Sequence, residues 1–206
     1  MMNFSNTESV IDADKDALTH RLQENFRQIL EAYSRPGTAI RLPHLDSQAS
    51  MQFMINLLDE SVSFCDHHQL LDAQQRRFLQ ARQAQVADAQ FIYLDGQNQP
   101  EVEFQPNLGS LSEPELGCTL VIEVSDLVEH LDTTSNCSVL SLAGPGIQGK
   151  TSIKVKGLHP EWLVRRAQWL SHFPLGLEMV LCTQDKLLVL TRTTQVTIVE
   201  SEAWHM

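Results

Sequence analysis

Paired cysteines are missing from this chain. Cys65, Cys118, Cys137 and Cys182 show no C-x-x-C spacing, which removes the usual frameworks for structural zinc and for an iron–sulfur cluster. They are expected as reduced, buried thiols. Long apolar runs are missing too, and the opening MMNFSNTESVIDADKD is polar and acidic rather than a cationic leader. A soluble, cytoplasmic protein with no membrane partner is the expectation. Positive charge is in deficit: 15 Lys and Arg against 26 Asp and Glu give a formal net charge of -11, a field that repels polyanions and argues against nucleic-acid binding. No G-x-S-x-G elbow is present, so a hydrolase of that type has no nucleophile. At 206 residues the chain suffices for one well-buried core. It reads as a flexible tail over residues 1–15 and a single domain over 16–206.

What the chain does have is a dense apolar stretch from Phe173 to Val199. Leu177 to Cys182 and Leu187 to Leu190 are near-continuous hydrophobic runs of strand length across the turn Thr183-Gln184-Asp185-Lys186, and Val196, Ile198 and Val199 make a third. Strands with so little alternation are covered on both faces, which predicts an α/β fold with a sheet buried under helices. Earlier, Leu18, Leu22, Phe26, Ile29, Leu30 and Tyr33 form one stripe of a helix from Asp16 to Ser34, stopped at Pro36-Gly37. A second helix carries Met51, Met54, Ile55 and Leu58, capped by Asp46 or Ser47, and Asp72 to Gln85 makes a third. Strands are expected at Thr38 to Leu42, Ser61 to Cys65, Ala89 to Leu94, Thr119 to Val124 and Val139 to Leu142. Asp95 to Glu115 is a long loop. Ser152 to Lys156 alternates Ile153 and Val155 with two lysines, the pattern of an exposed edge. Pro160 starts the last helix, with Trp162, Leu163, Trp169 and Leu170 inward and Arg166 snorkelling beside them.

Three motifs could carry chemistry. Gly144 to Thr151 matches the phosphate-loop pattern G-x-x-x-x-G-K-[ST], whose physical basis is a helix N-terminus holding the phosphate. Thr151 to Lys156 has period two instead, so a turn is the preferred reading, with Pro145 fixing one corner and Gly146 taking the positive φ of the next. The alternative, an independent nucleotide-binding protein using Gly144 to Thr151, requires the helix. Asp66-His67-His68 suggests a metal site but brings no second ligand at a known spacing, so no metal residue is assigned. Arg192-Thr193-Thr194 places a bidentate donor and two hydroxyls together, suited to an oxyanion, with a satisfied turn at the sheet's end as the preferred reading.

Three dispersed segments together resemble a known family, the H subunit of the bacterial carbon–phosphorus lyase system for phosphonate use, PhnH. The first is Phe26-Arg27 through Ala32, Ser34 and Pro36-Gly37, similar to that family's F-R-x-x-x-x-A-M-S-x-P-G opening; the second is Glu115, Gly117 and Thr119-Leu120-Val121-Ile122, followed by Leu142 and Gly144-Pro145-Gly146-Ile147; the third is Phe173-Pro174-Leu175-Gly176, the hydrophobic hairpin and Arg192-Thr193-Thr194. The chain departs from the family at Tyr33, where Met is usual, at Leu177-Glu178, where Ile-Asp is, and at Thr191, where Pro is. The resemblance implies a mixed sheet between helices like the large domain of pyridoxal-phosphate-dependent transferases, with no such cofactor and no other bound by this subunit. It also implies a homodimer that joins the G, I and J subunits and works with the L protein. In that system a phosphonate displaces adenine from Mg-ATP, giving α-D-ribose 1-methylphosphonate 5-triphosphate. Gly144, Gly146, Arg192, Thr193 and Thr194 are candidate anion or partner contacts, and no catalytic residue is assigned. The subunit is expected to act mainly as an assembly component, a purely structural platform being the limiting case. Isothermal titration with Mg-ATP separates these readings: the isolated protein is expected to give no binding heat, whereas micromolar binding abolished by Lys150→Ala would establish the nucleotide-binding alternative.

Overall fold

The computed structural model of the chain describes residues 5–44, 47–128 and 137–201. In chain order the elements are α1 (Ser5–Ser34), β1 (Ile40–Arg41), α2 (Ala49–Leu57), β2 (Ser63–Asp66), α3 (Ala73–Leu79), β3 (Arg82–Gln83), β4 (Phe91–Asp95), β5 (Thr119–Glu123), β6 (Asp126–Val128), β7 (Cys137–Ala143), β8 (Thr151–Lys156), α4 (Glu161–Trp169), β9 (Glu178–Cys182), β10 (Lys186–Leu190) and β11 (Gln195–Ser201). Seven strands form one mixed sheet in the order β1-β10-β9-β5-β4-β2-β3, and four form an antiparallel sheet in the order β11-β7-β8-β6. In the large sheet β9, β5, β4, β2 and β3 run parallel, and β10 and β1 are antiparallel additions.

Side chains alternate across the large sheet, and each face has its own cover. One face, with Tyr93, Val121, Val180 and Val189, packs under α1, α2 and α3 through Ile29, Phe53, Met54 and Leu79. The other, with Ile92, Leu120, Ile122, Leu181 and Leu188, packs on Leu140, Leu142, Ile153 and Val155 of the small sheet and on Trp162 and Leu163 of α4. The expected mixed α/β sheet is therefore present, but one face is covered by three helices and the other mainly by the second sheet, with α4 beside it. The third apolar run explains the difference: β11 leaves the large sheet and joins the small one, with Val196 and Ile198 inward and Val199 58% exposed.

Several expectations need correction. The first helix starts at Ser5 rather than Asp16, over residues read as tail. Asp46 lies outside the described residues, and α2 takes Gln48 as its N-cap with no side-chain bond; Ser47 instead accepts from Gln52 Nε2 at 3.1 Å. The helix expected to reach Gln85 stops at Leu79. Asp72 and Gln75 form its capping box, and Gln80 turns left-handed at φ 56. The chain then pairs with β2, where Val62 and Phe64 carbonyls accept from Arg82 and Ala84. β8 is no edge, because β6 pairs along its outer side and sets Asp126 opposite Lys156. Lys154 is buried in that interior strand. Arg166 does not snorkel: it is 3% exposed, held inside by backbone carbonyls.

The long loop makes contacts of its own, as expected. Phe104 is buried edge-on to Trp162 with ring centroids 5.1 Å apart, and Trp162 Nε1 donates to the Asn98 carbonyl at 2.7 Å. No cysteine is bonded to another among the described residues; Cys118 and Cys182 are buried, and burial pushes the Cys118 thiol up to about 12. No helix among the described residues is long and apolar enough to cross a membrane.

At the carboxyl end of β5, Glu123 accepts hydrogen bonds from Ser50 and, at 2.6 Å, from the Tyr93 hydroxyl. Burial raises its pKa above the ordinary carboxylate value against those two bonds, and the Asp95 charge adds to the rise. A raised folded pKa favours the protonated form, so this contribution is present below the unfolded value and lost as pH climbs through the folded one. Urea titrations at a series of pH values should therefore show wild type losing stability relative to Glu123→Gln as pH rises through that window, then a constant difference. In the core, Leu181→Ala is expected to cost roughly 2–5 kcal/mol, while Leu111→Ala at an exposed loop site should change stability by no more than about 0.5 kcal/mol.

Candidate functional site

The hairpin β9–β10 organises the site. Its register sets Met179 opposite Leu190, so Glu178 begins one strand where Thr191 and Arg192 leave the other. Glu178 accepts from the Arg192 backbone N–H at 2.7 Å and from Arg192 Nε at 2.9 Å. Arg192 Nη1 then donates to the carbonyls of Pro114 at 2.6 Å and Pro174 at 3.2 Å. One guanidinium thus joins the Phe173–Gly176 link, the Glu115–Gly117 segment and the hairpin. Both partners are mostly buried, at 17% and 19% exposure.

The turn after β10 is held from inside. Thr194 N–H donates to the Thr191 carbonyl at 2.9 Å, and the Thr191 hydroxyl lies 3.1 Å from that of Thr193 and 2.9 Å from that of Thr194. Arg166 Nη2, reaching up from α4, donates to the Thr191 carbonyl at 2.6 Å and the Thr194 carbonyl at 3.1 Å. Its Nε is buried with no hydrogen-bond partner among the described residues. Burial lowers the Arg166 pKa to about 10, opposed by the negative charge of Glu178. Beside them, burial first and then Glu178 push the Tyr33 phenol far above its ordinary value, and a hydrogen bond with Thr119 opposes the rise. Tyr33 stays a neutral hydroxyl.

The glycine turn closes the group. Ile147 N–H donates to the Gly144 carbonyl at 3.1 Å, with Pro145 and Gly146 at the corners. Gly146 has φ +81, and a side chain there would lie 2.6 Å from the Ser34 carbonyl; at Gly144 it would lie 2.8 Å from the Thr193 carbonyl. The turn therefore rests on the end of α1 on one side and on the Arg192 turn on the other, as only a residue without Cβ allows. Gly144, Gly146, Arg192, Thr193 and Thr194, proposed from sequence as contacts, come together in one place. Arg192 is there joined to a carboxylate, and Thr194 is buried.

Gly144 to Thr151 does not build a phosphate cradle. The chain leaves Thr151 directly into β8, paired to Leu142 across the hairpin, so the helix terminus that would bind phosphate is replaced by a strand. The nucleotide-binding alternative loses its structural basis.

His67 and His68 do find a companion, Glu101 of the long loop, with possible ligand atoms of all three within 4.8 Å of one another. His67 Nε2 lies 3.0 Å from one Glu101 oxygen and His68 Nε2 3.9 Å from the other. The Asp95 amide donates to His68 Nδ1 at 2.9 Å, which leaves the proton of the neutral ring on Nε2, the atom that would have to ligate. Burial, and then the neighbouring His67, hold the His68 pKa below its ordinary value. The trio fits a hydrogen bond to Glu101 better than an ion. Sequence reading missed Glu101 because it sits in an aperiodic loop. The Glu178–Arg192 pair was accessible, since folding the two apolar runs about Thr183–Lys186 already brings those residues together.

The family model described as bacterial phosphonate metabolism protein (PhnH) matches residues 14–197. A curated protein of Stutzerimonas stutzeri, the "Putative C-P lyase subunit protein HtxG", is 35% identical over 178 residues, covering 86% of this chain and 87% of its own length.

Removing one partner of the Glu178–Arg192 pair leaves the other charge poorly solvated. Glu178→Ala is expected to cost roughly 2–4 kcal/mol, and Arg192→Ala should cost much less in that background than in wild type. A double-mutant cycle by urea denaturation checks this, and strictly additive losses would contradict it.

Proposed function

The chain belongs to the PhnH family, and on that premise we propose that it serves as a subunit of the carbon–phosphorus lyase system in phosphonate use, mainly as an assembly component. The observation that carries the reading is the convergence of the family's three segments. The end of α1, the glycine turn and the Arg192 turn lie together, the first two in close backbone approach and the last held by side-chain bonds of the Glu178–Arg192 pair. The hydrogen-bonding groups of the Arg192 turn are directed at other groups of the chain, which supports a shape held by its own contacts rather than by a substrate.

The reaction supported would be displacement of adenine from Mg-ATP by methylphosphonate, giving α-D-ribose 1-methylphosphonate 5-triphosphate. Such a step needs cations on the triphosphate, a proton for adenine and stabilised positive charge at the sugar. This chain carries -11 overall, and in the family cluster Arg192 is neutralised by Glu178 while Arg166 is buried. We therefore assign the principal catalytic groups to partners, the I subunit first, with G, J and the L protein completing the assembly and a second copy of this chain as a further contact. The mixed sheet flanked by helices accords with a fold like the large domain of pyridoxal-phosphate transferases. A Schiff-base lysine would have to come from few positions: Lys186 is engaged by the Leu127 carbonyl at 3.2 Å and lies 3.8 Å from Asp126, and Lys154, though buried, holds an interior position of β8. Neither has the desolvated, unengaged amine that such chemistry uses.

Co-expression with the G, I and J subunits tests the assignment: stoichiometric co-elution is expected, and separate elution at all ionic strengths would refute it. With Arg192→Ala, the yield of assembled complex should fall while adenine release per assembled complex is unchanged. Loss of turnover in a fully assembled complex would instead place Arg192 at the substrate.

A further inference from the structure

A sheet edge exposes unpaired backbone donors and acceptors, and natural proteins blunt such edges with short strands, charges or proline. Three of the four edges here follow that rule: β1 and β3 have two residues each and β6 has three. β11 does not. Among the described residues it is the outermost strand of the small sheet, seven residues long, with Glu200 its sole charge and no proline. Its register with β7 is interrupted only between Ile198 and Glu200, so Gln195–Ile198 is a regular template.

Beside this edge lies a groove. Val196 and Ile198, opposite Leu142 and Leu140, face inward, and across from them α4 presents Leu163, Val164 and Ala167. Val164 is 42% exposed and Ala167 is also exposed, and no residue lining the groove is charged. A free strand edge running under a helix with an apolar gap between them is the geometry that accepts an added strand. Its main chain bonds to the edge, and every second side chain enters the gap.

We propose that the β11 edge takes up an extended segment of a partner protein as an additional strand, apolar at alternate positions and basic at its flanks. The charge requirement follows from the whole chain. With an uncharged groove, the long-range field decides which segments approach, and a chain at -11 attracts cationic segments. The inference stands on the edge, the groove and the net charge, and holds whether or not the chain serves in phosphonate use.

The test uses the full chain and a short fluorescent peptide of alternating valine and threonine flanked by lysines, followed by polarisation. Binding is expected to weaken about tenfold or more when alternate peptide amides are N-methylated, since the methyl groups remove the donors of the added strand. A similar loss is expected with Ala167→Glu and, as a second groove variant, Val164→Glu; both sites are exposed, and circular dichroism checks the fold. Glutamate-flanked peptide should bind more weakly, with the difference shrinking as salt rises. No binding, or equal binding of the N-methylated peptide, overturns strand addition. Equal binding of the glutamate-flanked peptide overturns the basic partner. A dimer in sedimentation that Thr197→Pro dissociates would make the occupant a second copy and overturn the proposal in that form.

Discussion

The guanidinium of Arg192 is the point on which the family-defining part of this molecule depends. It closes on Glu178 across the open end of the β9–β10 hairpin and reaches the carbonyls of Pro114 and Pro174. Segments far apart in sequence are thereby fixed to the end of one hairpin by a planar, multidentate donor, a task for which lysine's single point charge is a poor substitute. The carboxylate does two jobs, since its second oxygen accepts the Arg192 backbone N–H and so sets the first bond of the turn. In this chain the acid is Glu where Asp is usual in the family. The longer side chain still meets both donors at 2.7 and 2.9 Å, so the extra methylene is accommodated without losing the pair.

Arg166 extends the same logic inward. A buried guanidinium with no carboxylate at ion-pair distance among the described residues is costly, and its pKa falls accordingly. What compensates it is the pair of carbonyls at Thr191 and Thr194, oriented by the turn that Arg192 anchors. The two arginines therefore stabilise one turn from opposite sides. The glycine turn of β7–β8 then fits against that turn and against the end of α1, because Gly144 and Gly146 allow backbone to approach backbone. Helix, small sheet and large sheet are brought into fixed relation at this one place.

Much of this architecture was readable in the order of residues. The apolar runs from Leu177 to Leu190 located the central hairpin, the stripe from Leu18 to Tyr33 located α1, and Pro145-Gly146 located the turn, each through a local periodicity or a local φ preference. What was unreadable depended on partners distant in sequence. Lys154 and Lys156 looked like edge charges because β6, only three residues long and without a run of its own, is what makes β8 interior. Arg166 looked like a snorkelling side chain because its acceptors are carbonyls, which leave no mark in sequence. The division of strands between two sheets was hidden for a similar reason: Val196, Ile198 and Val199 have the same composition as the preceding runs, and only their pairing with β7 separates them.

The contrast between the motif letters and their setting bears on function. Gly144 to Thr151 carries every residue of a phosphate loop, yet anion binding in that motif comes from several amides aligned at a helix start, and here the chain continues as a strand whose amides alternate in direction. The Arg192 turn carries the residues of an oxyanion site, yet its cation faces Glu178 and its hydroxyls face one another. An anion arriving there would have to displace a carboxylate already held by two bonds. In both motifs the polar groups make contacts within the chain, strand pairing at Thr151 and the Glu178–Arg192 pair at the turn. Two arginines, Arg166 and Arg192, are turned to internal carbonyls and a carboxylate, while the chain as a whole carries a formal charge of -11.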